Sequence, residues 1–340
     1  MGRLTLEDPA EDSRALRTML HVARILVYTG PISWIVGCTG MPAAQPQNAN
    51  GPTNSNAGII TTVAGTGLAS FTGDGRPATE SGLYLPMDVA FLPDGTPLIL
   101  DWNNQRIRAL EPDGTLLTVI GTGFEDISAA GGLAIGFPLH HCLEMFVAGD
   151  GQVYLAGYHD PRVLRIDQDQ RVHVVAGTGD AGDTGDDGPA DQATLDYPSG
   201  VAVASDGTVF VADQNNHNVR RIDSDGTIRR FAGTGSPGYS GDGGPALDAE
   251  LRGPTRIVFD GNGNLLICDT NNHAIRQVDT TGTIRSIAGT GQRGYSGDGA
   301  AATAAQLDSP YDVQPLPDGS LLIADSLNHV IRRVELSGAV

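Results

Sequence analysis

A segment ending in Gly-x-Gly recurs at a fixed interval through this chain. Its clearest copy is Thr227-Ile228-Arg229-Arg230-Phe231-Ala232-Gly233-Thr234-Gly235. The others run from Ile60 to Gly67, Leu116 to Gly123, Val172 to Gly179 and Ile284 to Gly291. The first glycines stand at Gly65, Gly121, Gly177, Gly233 and Gly289, each 56 residues from the last. A period this long marks a repeat architecture, in which each unit is one supersecondary structure that buries its apolar faces only against its neighbours.

One unit shows what is repeated. Gly200 to Val203 reads as a strand, and Asp206-Gly207 as a hairpin turn. Val209 to Ala212 forms a second strand ending at Asp213, and Gln214 to His217 a polar loop. Val219 to Ile222 is a third strand, Asp225-Gly226 a second turn, and Ile228 to Ala232 a fourth strand. Four short strands joined by hairpins make an antiparallel sheet with two apolar faces. Such sheets are stable when stacked around an axis as an all-β propeller. Five such groups begin near Leu83, Leu139, Leu195, Leu251 and Leu307. The last has three strands, and Ile59 to Ala64 is a fourth strand without a blade. The expectation is therefore five four-stranded blades, with six as the alternative, closed by the N-terminal strand 59–64 and leaving no free edge.

The phrases Asp213-Gln214-Asn215-Asn216-His217, Asp269-Thr270-Asn271-Asn272-His273 and Asp325-Ser326-Leu327-Asn328-His329 resemble the NHL repeat. So does the loop Ser240-Gly241-Asp242-Gly243-Gly244-Pro245-Ala246, common in bacterial members with long repeats. The resemblance covers 59–340 and implies a propeller. It says little of function, because it implies binding scaffolds and, among related propellers, lyases and lactonases. Two units depart from the pattern. Gln105 stands where the histidine is expected, and His159-Asp160-Pro161 replaces Asn-Asn-His in the second unit. The loop 125–136 also lacks the Ser-Gly-Asp-Gly-Gly-Pro run.

Residues 1–58 have another character. Within 1–37, His21 and Arg24 precede an apolar run from Ile25 to Gly37, interrupted by Pro31. The run is shorter than the roughly 20 residues a spanning helix needs, and reads as a secretory leader. It ends Ile35-Val36-Gly37-Cys38, which resembles the lipobox of bacterial lipoproteins and implies lipidation of Cys38. The acidic stretch before Met19 makes Met19 an alternative start. Residues 38–58, rich in Pro, Asn, Gln and Gly, read as a flexible tether. These features predict an exported protein of the cell envelope, in contact with the membrane only through its lipid.

Forty acidic residues against 21 basic ones give a net charge of −19, which argues against nucleic acid or an anionic lipid surface as partner. Three cysteines, Cys38, Cys142 and Cys268, do not form a disulfide framework.

Candidate chemistry lies at one end of the propeller, where interblade loops and second-to-third strand loops meet. Asp213, Asn216, His217, Asp269, Asn272, His273, Asp325, Asn328 and His329 recur blade after blade, which favours a structural hydrogen-bond network over a ligand site. The residue opening the innermost strand is Asp88, Glu144, Gly200, Arg256 and Asp312 in turn, so four charges surround the channel mouth. These could bind a cation or polar ligand, or compensate one another. Glu144, His140, His141 and His159 are candidate ligands for a transition metal, although neighbouring residues of an extended chain point to opposite sides. The acidic glycine loops could bind Ca²⁺, or serve as turns. A divalent cation, calcium or a transition metal, is thus the one cofactor the residues suggest. No nucleophile elbow, phosphate loop or zinc-protease helix is present. The resulting expectation is a monomeric, lipid-anchored binding scaffold for a protein, peptide or glycan. The alternative is a metal-dependent propeller enzyme, lyase or lactonase-like, acting at the channel mouth.

Overall fold

The computed structural model describes residues 61–126 and 130–335. The leader 1–37, Cys38, the tether 38–58 and the start of the expected closing strand lie outside them. The described chain is all-β with short 3₁₀ turns, and forms a five-bladed propeller.

The first blade comprises Pro86–Phe91, Pro97–Asp101, Arg106–Leu110 and Thr115–Ile120. The second comprises Cys142–Val147, Val153–Gly157, Val163–Ile166 and Val172–Ala176. The third comprises Pro198–Val203, Val209–Asp213, Asn218–Ile222 and Thr227–Ala232. The fourth comprises Pro254–Phe259, Leu265–Asp269, Ala274–Val278 and Ile284–Ala288. The fifth shows Pro310–Pro315, Leu321–Asp325 and Val330–Val334. Within each blade, pairing is antiparallel between consecutive strands.

Cores form between blades because alternate residues of each strand face opposite neighbours. Phe210 and Ala212 of blade three meet Leu265 and Ile267 of blade four. Leu266 and Cys268, on the other face of blade four, meet Leu321 and Ile323 of blade five. Cys268 is buried, in keeping with a packing role. Interblade loops fold back on the outer strand of the coming blade: Arg76–Pro77 pairs with Thr115–Leu116, and Gly188–Pro189 with Thr227–Ile228. This covers edges that would otherwise offer free hydrogen-bonding groups.

The recurring glycine has a steric cause. Gly233 has φ +90, and a Cβ there would lie 2.6 Å from the His217 carbonyl oxygen. Its N–H bonds to Ala246 O, as Gly65, Gly121, Gly177 and Gly289 bond to Ala78, Ala134, Ala190 and Ala302. The glycine thus locks the end of each fourth strand to the next loop.

The expected closing strand is not formed over its described part. Residues 61–64 carry no strand pairing, and Val330–Val334 has no fourth partner among the described residues. Gly65 fastens the segment to blade one. Innermost strands pack closely on each other at the first four junctions, and among the described residues those of blades five and one show no comparable packing. Burial follows suit: Leu322, Ala324 and Ile331 are half-buried, whereas their equivalents Leu266, Cys268 and Ile275 are fully buried. Blade one covers its matching face, Ile99 and Leu116, with Ala64, Ala78 and Leu83 of its own loop.

Candidate functional site

The upper end carries three groups of predicted residues: the Asp-Asn-His loops, the channel-mouth charges and the blade-two histidines.

The Asp-Asn-His loops are hydrogen-bonded knots. Asp213 Oδ1 accepts from the Asp196 N–H at 2.8 Å, and its Oδ2 from Asn216 Nδ2 at 2.9 Å. Asn216 also donates to Gly182 O at 2.7 Å. Arg220, fully buried, lies 3.8 Å from Asp213 and bonds Asp186 of the glycine loop at 2.7 Å. Asp269, Asn272, Arg276 and Asp242 repeat this arrangement, as do Asp325, Asn328, Arg332 and Asp298. Aspartates of the acidic glycine loops therefore face guanidinium groups. Burial pushes Asp213 up to about 7 and Asp269 up to about 6, against the opposing pull of their donors.

The histidines of the first two knots reach the next blade. His217 Nδ1 accepts from the Gly253 N–H at 3.2 Å, and His273 Nδ1 from the Ser309 N–H at 3.0 Å. Burial lowers the pKa of both rings. In blade one Gln105 Oε1 takes this place, accepting from the His141 N–H at 3.1 Å. His329 is exposed and makes no such bond among the described residues, as the unpacked junction to blade one requires.

Three of the four channel-mouth charges join in a chain. Arg256 pairs with Glu144 through Nη1 and with Asp312 at 3.3 Å through Nε. The Oδ2 of Asp88 accepts from the Met145 N–H at 2.9 Å. A cation at the mouth would have to compete with a guanidinium for Glu144 and Asp312.

The blade-two histidines do converge. Ring nitrogens of His140, His141 and His159 lie within 4.8 Å of one another. His141 is the reason: at φ +48 it is left-handed, so the extended alternation breaks and adjacent rings face one space. Neither Glu144 nor Glu125 belongs to this group of three mutually close ligand atoms. The carboxylate beside the rings is Glu125, 3.5 Å from His141 and 3.9 Å from His140. Glu125 escapes sequence reasoning because its loop departs from the repeat. Cys142 is buried, and burial pushes its thiol well up.

Exposed apolar side chains crown the same end, and sequence reasoning missed them too. Leu68 and Phe124 stand three residues after Gly65 and Gly121, and are 73% and 75% exposed. Phe71, Tyr239 and Tyr295 stand six residues after Gly65, Gly233 and Gly289. Guanidinium groups lie over these rings: Arg106 at 3.8 Å, Arg276 at 5.1 Å and Arg332 at 5.4 Å. The available signal was an aromatic residue at one register position in three loops.

Residues 57–237 match the sequence profile of the teneurin NHL domain, and residues 251–278 that of the NHL repeat. Teneurin-m of Drosophila melanogaster is 29% identical over 291 residues, 78% of this chain and 10% of that protein. The chloroplastic protein SUPPRESSOR OF QUENCHING 1 of Arabidopsis thaliana is 33% identical over 175 residues, 49% of this chain and 16% of that protein. The chain thus spans a small part of these curated relatives. A solved structure described as an auxiliary nutrient binding protein from Bacteroides thetaiotaomicron superposes with a TM-score of 0.54 at 16% identity. The match covers 75% of this chain and 60% of that one, and shows likeness of fold.

Proposed function

From the premise that the chain belongs to the teneurin NHL domain family, we propose that its propeller is an interaction scaffold whose upper end receives a protein, peptide or glycan partner. The observation that carries this reading is the recurrence of exposed Leu68, Phe71, Phe124, Tyr239 and Tyr295 on the interblade loops, three of the aromatic rings lying under a guanidinium. Aromatic residues and arginine are the side chains enriched in binding surfaces. The hydrogen-bonded knots beneath hold the loops in place, so little ordering entropy is lost on binding.

The lipobox-like Ile35-Val36-Gly37-Cys38 supports a second part of the proposal. Cys38 carries a lipid, and the tether presents a monomeric propeller at the cell envelope.

The test is chemical cross-linking in native envelopes, comparing the wild-type chain with Phe124→Ser/Tyr295→Ser. The surface reading predicts the same adducts in smaller yield from the variant; equal yields overturn it. Cys38→Ser should abolish membrane partitioning, and a variant still in the membrane fraction refutes the anchor.

A further inference from the structure

We propose that His140, His141, His159 and Glu125 form a binding site for one late first-row divalent cation, zinc being the ion that fits the donors best. Imidazole nitrogen with one carboxylate oxygen is the donor set such ions prefer, and four protein ligands are what a closed tetrahedral zinc site uses.

Geometry carries the proposal. Tetrahedral ligation with Zn–N of about 2.0–2.1 Å puts ligand nitrogens roughly 3.3 Å apart. One nitrogen from each of the three rings lies within 4.8 Å of the others before any ion draws them together. Ring centroids are 5.7 Å apart for His140 and His141, 5.5 Å for His140 and His159, and 5.0 Å for His141 and His159. Glu125 is steered toward them by Gln105, whose Nε2 donates to Glu125 Oε1 at 3.3 Å. The Nδ1 of His140 is buried and has no hydrogen-bond partner among the described residues, while its Nε2 is the nitrogen that faces Glu125.

The repeat supplies an internal control. At the register position of His159 the other blades carry Asn103, Asn215, Asn271 and Leu327. At that of His141 they carry Leu85, Tyr197, Gly253 and Ser309, and each of these also has positive φ. The turn therefore forms without histidine. Blade architecture accounts for the backbone of this cluster but not for its imidazoles.

The experiment uses the full chain without a polyhistidine tag, stripped with chelator and titrated with ZnCl₂ and with CoCl₂. One equivalent should bind, and Co²⁺ should give the intense visible bands of tetrahedral coordination, bleached by Zn²⁺. His159→Asn restores the residue of three other blades and so keeps the fold. It should weaken binding at least tenfold, because losing even an outer-shell partner of a metal ligand costs about that much. Glu125→Ala should weaken it and shift the Co²⁺ spectrum. His173→Asn, which alters a histidine paired with Asp167 at 2.6 Å, should change neither. The proposal is overturned if the wild-type chain binds no Zn²⁺, or if His159→Asn binds one equivalent with unchanged affinity. An unchanged Co²⁺ spectrum in Glu125→Ala removes the carboxylate from the site.

Discussion

Glu144 of blade two and Arg256 of blade four are ion-paired past blade three, and Gly200 is the residue that lets them meet. A Cβ on Gly200 would lie 3.1 Å from Glu144 Oε2 and would overlap the Thr255 carbonyl oxygen. The other blades place a charged side chain at this register; here the space is taken by a neighbour's carboxylate. Gly200→Ala should therefore destabilise the chain by about 1–3 kcal/mol, the usual cost of overpacking. Urea denaturation checks this, and an unchanged midpoint would refute it.

The half-buried face of blade five predicts an asymmetry between equivalent leucines. Leu266→Ala, within the packed junction of blades four and five, should cost about 2–5 kcal/mol. Leu322→Ala, at the same register on a face left half-buried among the described residues, should cost roughly 1 kcal/mol or less. Equal costs would mean that blades five and one pack together in solution.

His273 predicts an acid sensitivity. Its folded pKa lies below 6.5, because burial disfavours the charged ring. The unfolded chain therefore binds the proton more tightly, and the contribution of this group is lost as pH falls below 6.5. Protonating Nδ1 would also break the bond to the Ser309 N–H. His273→Gln should keep that bond, as Gln105 does in blade one, and lack the titration. Stability of the variant relative to wild type should rise between pH 7 and pH 5. A constant difference would refute the link.

Asp213 predicts the opposite slope. Its folded pKa is raised to about 7 from a model-compound 3.8. Between these values the folded chain holds a proton that the unfolded chain has released. Its contribution to stability thus declines as pH rises through that window and is level above it. The carbon-13 carboxyl resonance of Asp213 should titrate near pH 7, whereas that of Asp225, lowered by its bonds to Thr227, should titrate at the acid side of the ordinary carboxylate range. A single acidic midpoint for both would overturn the prediction.

Much of this molecule was legible because repetition makes each unit a commentary on the others. The glycine period, the hairpin turns and the Asp-Asn-His phrases are local signals, and they led to the blades and the family. The remaining features depend on relations the chain does not write in one place. Glu144 finds Arg256 112 residues away, across a glycine whose emptiness is meaningful only in three dimensions. The left-handed turn at His141 reverses the reading that adjacent histidines diverge. The strand expected over 59–64 had its pattern but finds no strand partner over its described part, 61–64, since pairing is decided by where the last blade lies.

The junction between blades five and one gives the disc a direction in time. Units that brace each other on both sides open last, and those braced on one side open first. Amide deuteration should accordingly creep inward from both flanks, with Val211 at the middle of the array among the slowest to label. A protein built this way carries a seam from which it frays, and any partner that bridges the seam would slow the whole clock.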